Sequence, residues 1–154
     1  MKYRKVKKLN KWFADNGFKG ITCYRNNDFE AQVLENKIGI ADHIAWDKTM
    51  EYSFISLVQK IGLWEDTYLG TLVFLHELGH LQTWEEFSRF DELLYIAMDK
   101  IIMWVLGASR NKLYGAVNYF YQRVPQEKRA TQWAIDFVNE NSQAVEELEK
   151  ILYE

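Results

Sequence analysis

The sequence predicts an α+β domain in which a small antiparallel three-stranded sheet packs against a mainly helical remainder. Two patterns carry this expectation. Short β-prone runs fill about residues 20–45, and from about residue 50 onward apolar residues recur at helical spacing. Strands first and helices after is the order of an α+β fold. Composition adds a third observation: 154 residues, 48% hydrophobic and 16% aromatic, suffice to bury one core. There is no repeat and no Pro/Gly linker, and the only proline is Pro125. The chain 1–154 therefore reads as a single domain, with a basic amphipathic helix in 1–15, a sheet in 20–45 and helices over 50–154.

The first eleven residues carry Lys2, Arg4, Lys5, Lys7, Lys8 and Lys11 without an acid. On a helix these form a solvated face while Val6, Leu9, Trp12 and Phe13 pack inward. Asn16-Gly17 breaks the pattern, and β-prone runs follow at about 20–25, 29–35 and 37–45. Asn36-Lys37 reads as a tight turn, since asparagine tolerates positive φ, which makes the second and third strands antiparallel neighbours.

On the third strand Ile38, Ile40 and Ile44 share one face, and Gly39, Ala41, His43 and Ala45 share the other. The nearly bare face predicts a helix packed closely over it. The alternative is a strand bordering a cleft, with an extended peptide added along it and His43 inside. Helices are expected at about 50–61, 66–83, 90–106, 110–123, 125–139 and 142–152, with Asp66 or Thr67 capping the second. Gly62 and Gly107 act as stops, and Asp91, Ser109 and Ser142 stand near starts.

A net charge of −3 argues against a specific nucleic-acid partner. No apolar run approaches the roughly 20 residues that span a bilayer, and the amino terminus lacks the apolar segment of a signal peptide. The single cysteine, Cys23, excludes an internal disulfide and reads as a strand core residue. The expected location is the cytoplasm, with no membrane partner.

Residues His76-Glu77-Leu78-Gly79-His80 carry the chemistry. They form the H-E-x-x-H pattern of a zinc hydrolase. Two histidines four apart share one helix face and direct both rings at one Zn²⁺, while Glu77, one step round, reaches a water beside it as general base. The preceding run Leu69–Leu75 is apolar enough for a buried helix. A buried imidazole pair with a carboxylate costs several kcal/mol unless it is hydrogen-bonded or metal-bound. Gly79, unfavourable in a helix by roughly 1 kcal/mol, makes sense if another backbone approaches there.

Such a site needs a third protein ligand. No histidine follows His80. Upstream, Cys23 and His43 are outsiders, and Glu85, Glu86, Asp91 and Glu92 follow His80 too soon to cross easily onto a second packed helix. Glu127 has the better setting: Pro125 suits the first turn of a helix, and Ala130, Trp133, Ala134 and Phe137 form its apolar stripe. The small Ala130 and Ala134 would let that helix approach beside Gly79.

Together with Glu127-Lys128-Arg129-Ala130-Thr131-Gln132-Trp133-Ala134, the first motif resembles the ImmA/IrrE-type metallopeptidases, a gluzincin group common in phages and mobile elements. The resemblance implies a zincin-like domain, a sheet before the motif helix, Zn²⁺ held by His76, His80 and Glu127, and Glu77 as catalytic base. This chain departs from the family pattern at Thr131, where the family usually carries Asp or Asn; Asp136 is the nearest substitute. It also has an apparent helical insertion, 90–123, between the ligand helices, which is expected to shape the cleft.

The expected function is therefore zinc-dependent cleavage of a cytosolic protein, such as a regulator. The oxyanion donor stays open among His43, Tyr114, Tyr119 and Tyr121. The rival expectation is a non-catalytic zinc-binding accessory protein of a phage or mobile element.

Overall fold

A computed structural model describes residues 2–27, 29–41, 69–110, 112–121 and 123–153. Helix α1 spans Lys2–Asp15, and the strands are β1 (Thr22–Asn26), β2 (Glu30–Gln32) and β3 (Lys37–Ala41). Helices α2 (Leu69–Thr83), α3 (Arg89–Ala108), α4 (Tyr114–Tyr121), α5 (Pro125–Glu140) and α6 (Ser142–Tyr153) follow. This is the expected α+β order, mostly helical with a small sheet. The expected helix 50–61, the caps Asp66 and Thr67, Gly62, His43, Ile44 and Ala45 lie outside the described residues.

Helix α1 forms as its pattern predicts: Leu9, Trp12 and Phe13 are buried and Val6 packs against the core. Phe13 stacks on Phe74 of α2, and Trp12 Nε1 donates to the Ala144 carbonyl of α6 at 2.9 Å. Lys5 Nζ reaches the Leu152 carbonyl at 2.6 Å, so one basic residue of this face ties α1 to α6. Cys23 is buried in β1, and burial pushes its thiol well above the ordinary range.

The sheet has the order β1-β3-β2 and is mixed, which corrects the antiparallel expectation. The antiparallel pair forms as expected, Ala31 opposite Ile38, and Asn36 has φ 51°, but β2 ends at Gln32 and a 3-10 turn at Val33–Glu35 makes the connection in place of a two-residue turn at Asn36-Lys37. Strand β1, however, pairs parallel to β3, Cys23 opposite Ile38. The chain reverses twice between β1 and β3, so the two run the same way. The buried Ile38 and Ile40 sit on the strand that has a partner on either side.

The bare face of β3 is covered differently from expectation. A Cβ at Gly39 would lie 2.9 Å from Asn26 Cβ, Asn26 Nδ2 and the Tyr24 hydroxyl, so neighbouring β1 side chains fill the space rather than a helix. Tyr24 also donates to Glu30 Oε1 at 2.5 Å and accepts from Gln32 Nε2 at 2.7 Å, which ties β1 to β2 across this face. Because β3 is central, a peptide cannot add along it; β2 is the edge that lies against α2.

Apart from His76, Glu77, His80 and the exposed Gln82, helix α2 is apolar around most of its circumference, and it packs against the sheet, α5 and α6. Its approach to α5 is closest at Gly79, where a Cβ would lie 2.5 Å from the Ala130 carbonyl oxygen. Glycine is required there because two helix backbones touch. Helix α3 begins at a capping box, Ser88 with Asp91, and ends with Ser109 as its C-cap; Ser109 thus closes a helix rather than starting one. Arg110 at φ 50° then turns the chain, and α4 is shorter than its expected 110–123. No described helix is long and apolar enough to cross a membrane.

Candidate metal centre

His76 and His80 lie on the same face of α2, one turn apart, and both are buried. Opposite them, Pro125 opens α5, where its missing N–H costs nothing and its fixed φ suits the first turn. Glu127 follows in that turn and is also buried. The close contact at Gly79 brings the two helices near enough for these three side chains to converge.

The Nε2 atoms of His76 and His80 are 3.1 Å apart. Glu127 Oε2 lies 3.0 Å from His76 Nε2, and Oε1 lies 3.3 Å from His80 Nε2. Donors held around one ion by bonds of about 2.0–2.1 Å in a tetrahedron are separated by about 3.3–3.4 Å. Two imidazole nitrogens and a carboxylate that turns one oxygen to each of them suit a metal ion in chemistry and approximate spacing, and His76, His80 and Glu127 form a buried group that could hold one.

Burial alone would raise the Glu127 carboxyl. The positive field of His80, hydrogen bonds from His76 and His80, and the His76 charge outweigh it and hold Glu127 well below the ordinary carboxylate range. His80 shows the reciprocal effect: burial opposes its charge, but Glu127 and then Glu77 raise it. Without an ion the carboxylate and the imidazoles thus stabilise one another's charge, and a cation bound there would take the place of the imidazole protons.

Glu77 is half-buried beside the triad and outside it. Burial raises its pKa, against the lowering effect of His76, His80 and the Ala31 amide of β2. The edge strand thus reaches the acid of the motif through a backbone N–H.

Thr131, four residues after Glu127 on the same face of α5, places its Oγ1 3.1 Å from His76 Nδ1. In the tautomer that leaves Nε2 free for an ion, Nδ1–H donates to this hydroxyl. Threonine thus fills the position expected to hold Asp or Asn. Asp136 is not the substitute: it is exposed and accepts from Gln132 at 2.8 Å.

Of the other candidate ligands, His43 lies outside the described residues and none of the rest joins the triad. Glu86 forms a two-pronged ion pair with Arg129 at 2.6 and 2.8 Å, Asp91 caps α3, and Glu85 is exposed. Cys23 belongs to the β1 core. Among the tyrosines named from sequence, Tyr119 is exposed under the Arg123 guanidinium, and the Tyr114 side chain lies outside the described residues. Tyr121 does reach the site.

Tyr95 was not foreseen. Its hydroxyl donates to Glu127 Oε1 at 2.6 Å and lies 3.0 Å from the Tyr121 hydroxyl. Burial and the adjacent Glu127 charge push both phenols far above their ordinary range, so both stay protonated. The one hint in the sequence was position, since Tyr95 stands seven residues beyond the Ser88 cap on a helix between the two ligand helices. The same two rings, with Leu94, Met98, Ile102 and Phe120, wall an apolar cavity of about 610 Å³. No protein-family model, curated protein or solved structure matches the chain.

Proposed function

We propose that this protein is a zinc-dependent endopeptidase of the gluzincin kind, similar to ImmA/IrrE-type enzymes, in which His76, His80 and Glu127 hold Zn²⁺. One observation carries the reading: the buried Nε2 atoms of His76 and His80 lie 3.1 Å apart, each within 3.0–3.3 Å of one oxygen of the buried Glu127 carboxylate, with Glu77 next to them. A purely structural site has no use for a half-buried carboxylate in that place. The mixed sheet, with its edge strand β2 against the motif helix, is compatible with a zincin-like arrangement.

Bound zinc supplies Lewis acidity, polarising a peptide carbonyl and lowering the pKa of water toward about 7. The Glu77 carboxylate would take the proton from the attacking water and return it to the departing amine. The Thr131 hydroxyl, 3.1 Å from His76 Nδ1, would accept from Nδ1–H when Nε2 faces the metal and so would orient the ring. The cavity walled by α3 and α4 stands beside Glu127, where a substrate side chain is selected.

A second reading, a non-catalytic zinc-holding accessory protein, is favoured by the large apolar residues that α3 and α4 expose, Trp104 and Phe120 among them. The two part on Glu77→Gln, assayed with a fluorescence-quenched peptide library. For the peptidase, the variant keeps stoichiometric zinc and loses hydrolysis by about 10²–10⁴-fold, whereas Glu127→Ala loses the zinc itself. Wild-type protein that holds zinc without cutting any peptide decides for the accessory role. Wild-type protein without zinc removes both readings.

A further inference from the structure

We propose that Tyr95, steadied by Tyr121, is a positioning residue that fixes the Glu127 carboxylate as a one-oxygen donor to the metal. The inference rests on the metal-site reading above. A carboxylate has two oxygens and about four lone-pair sites, and the last torsion of a glutamate side chain is broad and two-fold rather than locked. Left alone, Glu127 can offer one oxygen or both. The Tyr95 hydroxyl restricts that freedom: it donates at 2.6 Å to Oε1, the oxygen that also lies 3.3 Å from His80 Nε2, and so leaves Oε2, 3.0 Å from His76 Nε2, as the less encumbered donor.

Tyr95 spends its single proton on Glu127, so its oxygen accepts from Tyr121 at 3.0 Å. The result is a directed chain, Tyr121 to Tyr95 to Glu127, with one link from each of α4, α3 and α5. Its anchorage is local: Gln126 Nε2, adjacent to Glu127, donates to the Asp91 carbonyl at 3.2 Å and joins the first turns of α3 and α5. The Tyr95 ring also lies 6.0 Å from the His80 ring, so it faces two of the three proposed ligands. The insertion between the ligand helices therefore completes the metal site from behind Glu127, although it supplies no ligand.

The test uses the full chain with Zn²⁺ and Co²⁺ as probes. Zinc affinity is measured by competition with a chromophoric chelator, and the cobalt form by its visible absorption bands. Tyr95→Phe is expected to weaken zinc binding by about 10–100-fold and to change the position and intensity of the cobalt bands as Glu127 changes its binding mode. Tyr121→Phe is expected to give a smaller loss in the same direction, and the exposed Tyr119→Phe none.

A packing role alone would lower the melting temperature and leave the cobalt spectrum and zinc affinity unmoved; that result overturns the proposal. If Tyr95→Phe does not fold, Tyr121→Phe decides by the same two measurements, with unchanged affinity and spectrum counting against. Wild-type chain that binds neither ion fails at the earlier step and overturns the metal-site reading together with this one.

Discussion

Helices α2 and α3 are both rich in large apolar residues, yet they stand in opposite relation to the core. In α2, Leu72, Val73, Phe74, Leu75 and Leu78 are fully enclosed. In α3 no residue is fully buried, and Phe90, Leu93, Met103 and Trp104 face outward. Neighbours make the difference: the sheet, α5 and α6 surround α2, whereas α3 leans mainly on α4 and reaches α5 through Tyr95 and Gln126. The comparison teaches that apolar content marks what a helix would gain by burial, while topology decides whether it is buried. It also separates two contributions to the site. Helix α2 supplies the histidines on a rigid, close-packed element, and α3 supplies a single hydrogen-bond donor.

The contrast predicts unequal tolerance to change. The largest effect is expected at the α2–α5 contact. Gly79→Ala places a methyl group 2.5 Å from the Ala130 carbonyl oxygen, and overpacking of this kind costs about 1–3 kcal/mol. Calorimetry should register a melting temperature lower by about 2–4 °C for each kcal/mol lost, with weaker metal binding as Glu127 is pushed away from the histidines. An unchanged melting temperature would mean that the contact gives way easily and that α2 is less rigid than its enclosure suggests.

A smaller effect is expected at Glu77 in the metal-free protein, and it depends on pH. Its folded-state pKa is raised, chiefly by burial, so the unfolded chain releases this proton first as pH climbs past about 4.5. Stability from the protonated form is fully present below that value and is lost as pH rises through the folded pKa. Glu77→Gln removes the loss. Its melting temperature should match that of the wild type near pH 4 and exceed it at pH 7; equal melting at both would show that Glu77 is effectively solvated.

Glu127 runs the other way. Its depressed pKa contributes stability above the ordinary carboxylate range, and that stability disappears on acidification below about 4.5. The smallest effect is expected on α3, where Trp104→Ser should shift stability by no more than about 0.5 kcal/mol in a denaturant titration. Trp104 is 73% exposed, and a substantially larger loss would show that this face of α3 is covered in solution.

How much of this was legible in the sequence depended on the distance over which each feature is encoded. The i, i+4 histidines, the positive φ of Asn36 and the Pro125 start are local matters of dihedral preference and helical period, and each appears where the pattern places it. Gly79 and Ala130 announced a close approach because small residues on two apolar helices have few other uses, and the two backbones do meet there. Glu127 could be selected among many acids for the same reason. Tyr95 could not, since among nine tyrosines a place on the helix between the ligand helices does not by itself mark the one whose hydroxyl ends beside a carboxylate 32 residues away. Ser109 misled because a residue type that favours helix starts also closes helices, and the left-handed Arg110 after it is not written in its side chain.

The sequence by itself determined the α+β order of elements, the helix carrying His76, Glu77 and His80, and the candidacy of Glu127, since these follow from periodicities and backbone preferences within a few residues. Only the tertiary structure decided that β1 runs parallel to β3, that Thr131 holds His76, that the Ala31 amide meets Glu77, and that Tyr95 and Tyr121 close on Glu127. Those contacts depend on the rotation and approach of whole elements about one another, set by packing across the core and not by the composition of any one segment.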